Sequence, residues 1–131
     1  MLSEAAVQQR IRLEAPRHSC ILWRNNNGAC ETADGRQIRY GLANDSHQMN
    51  QRFKSSDLIG VTYRVITPAD VGLTVGVFTS IEVKREGWRY TGTGREQAQN
   101  AWLHLIKQYG GVAGFATGPG DIWPTLRNGW I

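Results

Sequence analysis

Two short segments of the chain carry charged side chains within otherwise apolar runs. One is 56–60, which contains Asp57, and the other is 81–84, which contains Glu82 and Lys84. Both are predicted as strands, in which side chains two residues apart lie on the same face, so Glu82 and Lys84 share a face. Charge in a half-buried strand is costly unless it is paired or binds a metal ion. Charges that converge at strand ends are typical of a magnesium-dependent phosphodiesterase site.

Alternative interpretations of the charged and metal-binding residue types stay open. Glu82 and Lys84 could belong to a solvated sheet face with a cross-strand salt bridge. A zinc site is arithmetically possible, although the spacing of its donors matches no compact zinc motif; those donors are His18, Cys20, Cys30 and His47. Two cysteines are too few for a disulfide scaffold.

The size and charge of the chain limit its class. Its 131 residues are expected to form one domain with a real core. The net charge is +4, and 12 of the 15 basic residues are arginine, the side chain best suited to bind phosphate oxygens in pairs. This excess fits a polyanionic partner such as nucleic acid. No apolar run has the length of a signal peptide or a membrane span, which predicts an intracellular protein without a membrane partner.

The elements that must position these charges can be assigned from periodicity and caps. We predict an α/β (α+β) fold in which a small mixed sheet is flanked by helices. Irregular structure is expected over 43–55, a short helical turn at 67–70, and mostly loop after 116, with a turn of helix as the alternative there. The helices are predicted at 4–14, after Ser3, and at 95–109; the strands are predicted at 19–24, 57–65, 73–84 and 112–116, with a hairpin of 30–33 and 36–40 around Asp34 and Gly35.

The order of the motifs resembles that of the PD-(D/E)XK nuclease superfamily. Glu4 lies on the first helix, Asp57 on the second strand, Glu82 and Lys84 on the third, and Gln99 on the following helix. The resemblance is to the virus-type replication-repair nuclease (VRR-NUC) domain in its stand-alone phage or prophage form, and its segments are 23–26, 28–29, 55–60, 77–85, 99–102 and 110–111. Ser56 stands where that family has a proline.

The resemblance implies a restriction-endonuclease-like αβββαβ core over a single domain, 1–131, and a Mg²⁺-dependent DNA endonuclease in which Mn²⁺ can substitute. It implies that Asp57 and Glu82 bind the metal directly and that the backbone carbonyl of Val83 supplies a third ligand. Glu4 would reach a metal directly or through water, although an acid at a helix start also stabilises the helix dipole without any further role.

The same resemblance assigns roles beside the metal. Lys84 would orient the attacking water or stabilise the transition state, and Gln99 would help to place Lys84 or the water. Gln97 competes with Gln99 for this position, but it lies on nearly the opposite side of the helix. A glutamine that merely bonds to nearby backbone is the alternative for Gln99.

Candidate contacts to DNA phosphates flank the predicted site; they are Arg24, Asn25, Asn26, Lys54, Arg85 and Arg89. Stand-alone members of the family resemble homodimeric Holliday junction resolvases, which implies a homodimer acting on branched DNA, four-way junctions or flaps, in the cytoplasm of a bacterial or phage-infected cell. A sequence-specific restriction-type nuclease and a DNA-binding module without catalysis remain alternatives. A further one is a metal-independent ribonuclease that uses His18, His47 and His104.

Overall fold

The computed structural model describes residues 1–128, and the chain divides into two compact units, Met1–Thr62 and Tyr63–Ile131. The elements of the first unit are α1 (Glu4–Glu14), β1 (Cys20–Arg24), β2 (Gly28–Glu31), β3 (Gln37–Tyr40), α2 (His47–Arg52) and β4 (Leu58–Thr62). Those of the second are β5 (Thr79–Val83), α3 (Gly94–Gln108), β6 (Val112–Ala116) and α4 (Ile122–Asn128). The mixed α and β content confirms the predicted class. Within the described residues, no helix is both long and apolar enough to cross a membrane.

In the first unit, β1 and β4 pair antiparallel with Leu22 opposite Gly60. Only glycine fits at position 60, because a Cβ there would clash with the Ile21 carbonyl oxygen. Helix α1 begins where predicted, since the Ser3 hydroxyl accepts a hydrogen bond from the Ala6 N–H at 3.2 Å. Arg12 Nε donates to the Leu22 carbonyl at 3.2 Å. This hydrogen bond joins α1 to β1, the strand that precedes residues 25–27.

The remainder of the first unit is organised by a hairpin and a buried asparagine. Strands β2 and β3 pair antiparallel around the predicted turn, where Gly35 adopts a φ of +86°. Asn44 is 2% exposed, and its Nδ2 donates to the Gly28 and Tyr40 carbonyls at 2.8 Å each. A buried amide that binds both strands closes the open end of the hairpin.

The second unit is built on a strand–helix–strand connection. Strands β5 and β6 pair parallel, with Glu82 opposite Phe115, and α3 connects them and packs on both. Apolar side chains of α3 and β6 form the core; these are Leu103, Ile106, Val112, Ala113 and Ala116. The helix ends at Gln108, and Gly110, just after the C-cap residue Tyr109, adopts a φ of +85°. Helix α4 packs on the other side of β6 against Gly114.

Several predicted boundaries are wrong, each for a local reason. Residues 43–55 are not all irregular, because Ser46 caps the short helix α2 by accepting from the Met49 N–H at 3.1 Å. The strand predicted over 57–65 is Leu58–Thr62, so Asp57 immediately precedes it. The strand predicted over 73–84 is only Thr79–Val83, since that is the part that pairs with β6.

The strands of the described residues form three two-stranded sheets, β1–β4, β2–β3 and β5–β6, instead of the single mixed sheet that was predicted. An irregular segment separates β4 from β5 in the chain. The segment 63–78 contains only a single 3₁₀ turn, Pro68–Asp70, and no strand. Apolar alternation alone does not make a strand where no partner supplies the ladder hydrogen bonds.

Candidate active site

The centre of the candidate site is a side-chain bridge from β5 to α3. Lys84 Nζ donates to Gln99 Oε1 at 2.8 Å, and Gln99 Nε2 donates to Glu82 Oε1 at 2.8 Å. An ammonium group can only donate and a carboxylate can only accept, so both charged groups require this one orientation of the amide. Gln99 therefore links the acid and the lysine into one constellation at the end of β5.

Strand periodicity explains why these side chains meet the helix. Ser80, Glu82 and Lys84 lie on the face of β5 that α3 covers, because Trp102 Nε1 donates to Ser80 Oγ at 2.8 Å one helical turn after Gln99. Val83 points the other way and is 75% exposed. The Lys84 backbone N–H donates to the Ala116 carbonyl at 2.8 Å, which continues the parallel ladder and fixes the lysine backbone.

Aromatic rings surround the lysine ammonium. Lys84 Nζ lies 5.3 Å from the ring centroid of Trp88 and 5.9 Å from that of Phe115. At these distances an ammonium is attracted by the negative face of each ring. The amide of Gln99 and the two rings together confine the charged end of Lys84.

A buried carboxylate, Glu96, organises the loop that follows Lys84. The side chain is 7% exposed and accepts hydrogen bonds from the Thr91 N–H at 3.0 Å, the Thr93 N–H at 3.2 Å and Trp88 Nε1 at 2.9 Å. The Thr91 N–H above all, helped by the other donors and opposed by burial, lowers the pKa of Glu96 to about 2. Sequence reasoning missed this residue, although Thr93 and Glu96 have the spacing of a helix capping box.

Asp57 lies in the first unit, where Asn25 fixes the chain around it. The Asn25 N–H donates to the Asp57 carbonyl at 2.8 Å, and Asn25 Nδ2 donates to Ser55 Oγ at 2.8 Å and to the Ser56 carbonyl at 2.9 Å. The Asp57 side chain itself is exposed. Because the Asn25 amide is bound within the protein, its observed contacts are those of a residue that positions Asp57, whereas the sequence predicted a phosphate contact.

The other predicted residues are distributed over both units. Glu4 begins α1 and is exposed in the first unit, as are Arg24, Asn26 and Lys54. Arg24 Nη2 donates weakly to Asn26 Oδ1 at 3.5 Å, and Lys54 contacts Asn50. Arg85 and Arg89 are exposed in the second unit. The structure thus brings Glu82, Lys84 and Gln99 into contact through their side chains, and it places Gln97 elsewhere, donating to the Gly92 carbonyl at 2.8 Å.

Within residues 1–128, no group of three or more His, Cys, Asp or Glu side chains is arranged so that it could hold a metal ion. Comparison of the chain with models of known protein families finds no match, and comparisons with curated proteins and with solved structures find none either. The resemblance to the VRR-NUC domain therefore rests on the motifs of the sequence.

Proposed function

We propose that the chain is a metal-dependent DNA endonuclease that hydrolyses phosphodiester bonds. The observation that supports it most is the bridge in which Gln99 joins Lys84 to Glu82. Phosphodiester hydrolysis requires a ligand for a cation and a positive group near the reacting phosphate. An acid and a lysine at one strand end, both positioned by a third side chain, supply these two functions.

The donor chemistry fits the cation that the resemblance implies. Mg²⁺ prefers carboxylate and carbonyl oxygens, and among the described residues neither Asp57 nor Glu82 forms an ion pair. By the resemblance, Mg²⁺ or Mn²⁺ would take Glu82 and the Val83 carbonyl as ligands from the second unit, and Asp57 together with Glu4, the latter directly or through water, are the ligands assigned in the first. When bound, the cation supplies an activated water and neutralises charge on the phosphoryl oxygens.

Gln99 has a specific role in this proposal. A lysine two residues from a glutamate on the same strand face would readily form a direct salt bridge with it. The Gln99 amide instead lies between them and satisfies each with a neutral group. The carboxylate of Glu82 keeps its charge available for a cation, and Lys84 keeps its charge available for the attacking water or the transition state.

The proposed substrate is branched DNA, bound by a homodimer. Exposed basic side chains in each unit support phosphate contacts, namely those of Arg24 and Lys54 in the first unit and of Arg85 and Arg89 in the second. Such contacts carry no base sequence information by themselves. They favour selection by DNA structure over selection by sequence.

The test is a Mg²⁺ titration with labelled four-way, flap and linear duplex DNA. We expect cleavage of the branched substrates that requires Mg²⁺ or Mn²⁺, is lost with EDTA, and is abolished in Asp57→Asn. Lys84→Ala should bind the four-way junction in Ca²⁺ as the wild type does but fail to cleave it. Lys107→Ala, which alters an exposed lysine in the last turn of α3, is the matched control and should cleave normally.

Three results would contradict the proposal. Activity that persists in EDTA would indicate metal-independent chemistry. Absence of cleavage with either cation would leave a DNA-binding module. Cleavage by Lys84→Ala at the wild-type rate would remove the lysine from the mechanism.

A further inference from the structure

The loop between β5 and α3 alternates basic and aromatic side chains. This basic–aromatic loop, residues 85–92, contains Arg85, Trp88, Arg89 and Tyr90. Both arginines are exposed, and Tyr90 is 47% exposed. The loop begins at the residue after Lys84, so any ligand that it binds lies beside the candidate active site.

Hydrogen bonds to α3 give this loop a defined conformation. The Glu96 carboxylate accepts from Trp88 Nε1 and from Thr91, and Gln97 Nε2 donates to the Gly92 carbonyl at 2.8 Å. The Trp88 N–H donates to the Arg85 carbonyl at 3.1 Å, which closes the turn. A surface whose backbone is already ordered loses little conformational entropy when it binds a ligand.

Tyr90 is also supported by two other rings. Its ring centroid lies 6.3 Å from that of Trp88, edge to face at 86°, and 6.0 Å from that of Phe115. These contacts are in the range where aromatic pairs attract each other. The ring is thus fixed on one side while about half of the residue remains open to solvent.

The chemistry of this surface selects its ligand. A supported, exposed ring offers a stacking face, and the arginines next to it offer donors for phosphate oxygens. An apolar peptide would not use the two charges, and a fully paired duplex does not offer the face of a base. The ligand that uses both features is a nucleotide strand with unpaired bases.

We propose that the basic–aromatic loop binds single-stranded DNA, with Tyr90 stacking on an unpaired base and with Arg85 and Arg89 contacting the flanking phosphates. This inference rests on the proposed function and specifies its substrate: DNA with unpaired bases at a flap or an opened branch. A stacked duplex would be bound more weakly, because a base must leave its own stack before it can reach Tyr90.

The experiment measures binding by fluorescence anisotropy in EDTA, so that no cleavage can occur. Two labelled probes are compared, a thymidine oligonucleotide and an abasic oligonucleotide with the same number of phosphates. We expect the wild type to bind the thymidine probe more tightly. Tyr90→Ala should weaken binding of that probe by about tenfold, the usual cost of one lost base–aromatic stack, and leave the abasic probe unaffected. Tyr90→Trp should retain the preference for bases.

Two further variants complete the design. Arg89→Ala should weaken both probes to a similar extent, because it removes a phosphate contact. Tyr63→Ala is the matched control, since Tyr63 is similarly exposed, at 51%, and packs edge to face on Tyr109 at the far end of α3. It should bind both probes as the wild type does.

Equal affinity of the wild type for the two probes would overturn the proposal, and so would an unchanged preference in Tyr90→Ala. Should circular dichroism show that Tyr90→Ala is unfolded, the proposal is still tested by the affinities of the wild type and of Tyr90→Trp for the thymidine and abasic probes. Mg²⁺-dependent cleavage of branched DNA is measured separately. Loss of base preference with cleavage intact contradicts only this inference, whereas loss of cleavage with base preference intact contradicts only the proposed enzyme.

Discussion

Replacing Gln99 with methionine tests the bridge between Glu82 and Lys84. Methionine has nearly the same length and volume as glutamine but cannot form either of the two hydrogen bonds of 2.8 Å. Both bonds involve a charged partner, for which the contribution is roughly 1.5–3 kcal/mol each. Glu82 and Lys84 are only half-buried, so water can replace the lost partner. We therefore expect folding stability to fall by no more than about 1 kcal/mol.

The effect on cleavage should be larger than the effect on folding. Removing a side chain that orients the groups around a metal site typically lowers activity 10- to 100-fold, or about 1.4–2.7 kcal/mol of transition-state stabilisation. In steady-state cleavage of a labelled four-way junction, kcat should fall by this factor while KM changes little. Gln108→Met, at an exposed position in the last turn of α3, is the matched control and should leave both constants unchanged.

A double-variant cycle shows whether Gln99 acts through Lys84. If it does, Gln99→Met should cause little further loss when it is added to Lys84→Arg, which keeps the positive charge but not the ammonium, because effects on one interacting set are not additive. Gln99→Met with wild-type kcat, in a protein that Glu82→Gln inactivates, would refute the reasoning. The bridge would then be a structural contact only.

Two further predictions concern structure. The pKa of Glu96 is lowered from the usual 4.5 to about 2, mainly by the Thr91 N–H. The ionised carboxylate therefore stabilises the fold fully above about pH 4.5, and this stabilisation is lost as the pH falls towards 2. In thermal melts, the melting temperature of Glu96→Gln should fall less on acidification than that of the wild type, and equal falls would contradict this assignment. Asn25→Ala removes the donors to Ser55 and Ser56. It should lower the free energy of unfolding by about 1–3 kcal/mol and speed amide hydrogen exchange around Asp57. Unchanged exchange there would exclude the positioning role.

Local signals predicted the elements that depend on neighbouring residues. Helix α1 follows the Ser3 cap, and β6 has the predicted bounds, Val112–Ala116. Helix α3 lies within one residue of its prediction, because its apolar face and the glycines after it are both visible in the sequence. The errors fall where the outcome depends on distant partners. Residues 73–78 have the composition of a strand, but the ladder that defines β5 starts at Thr79, where β6 begins to pair.

The candidate site likewise combines features that local sequence patterns predict with features that depend on distant residues. Strand periodicity alone places Glu82 and Lys84 on one face. The choice between Gln97 and Gln99 depends on how α3 packs on β5, and the hydrogen bonds to Gln99 show that packing directly. The partners of Asn25 lie about thirty residues away in the chain, a separation that no local pattern encodes. An asparagine in the run 25–27 reads as a turn residue or a phosphate contact for that reason.

One helix positions both the proposed chemistry and the proposed DNA contact. Glu96 and Gln99 are three residues apart on α3, so they lie on the same face. Glu96 binds the basic–aromatic loop, and Gln99 binds Glu82 and Lys84. A displacement of α3 along β5 would therefore disturb the basic–aromatic loop and the bridge to Glu82 and Lys84 together. The packing of this single helix would then determine how far a base bound on Tyr90 lies from the Lys84 ammonium. A small chain can in this way hold a bound strand at a fixed distance from its reactive groups.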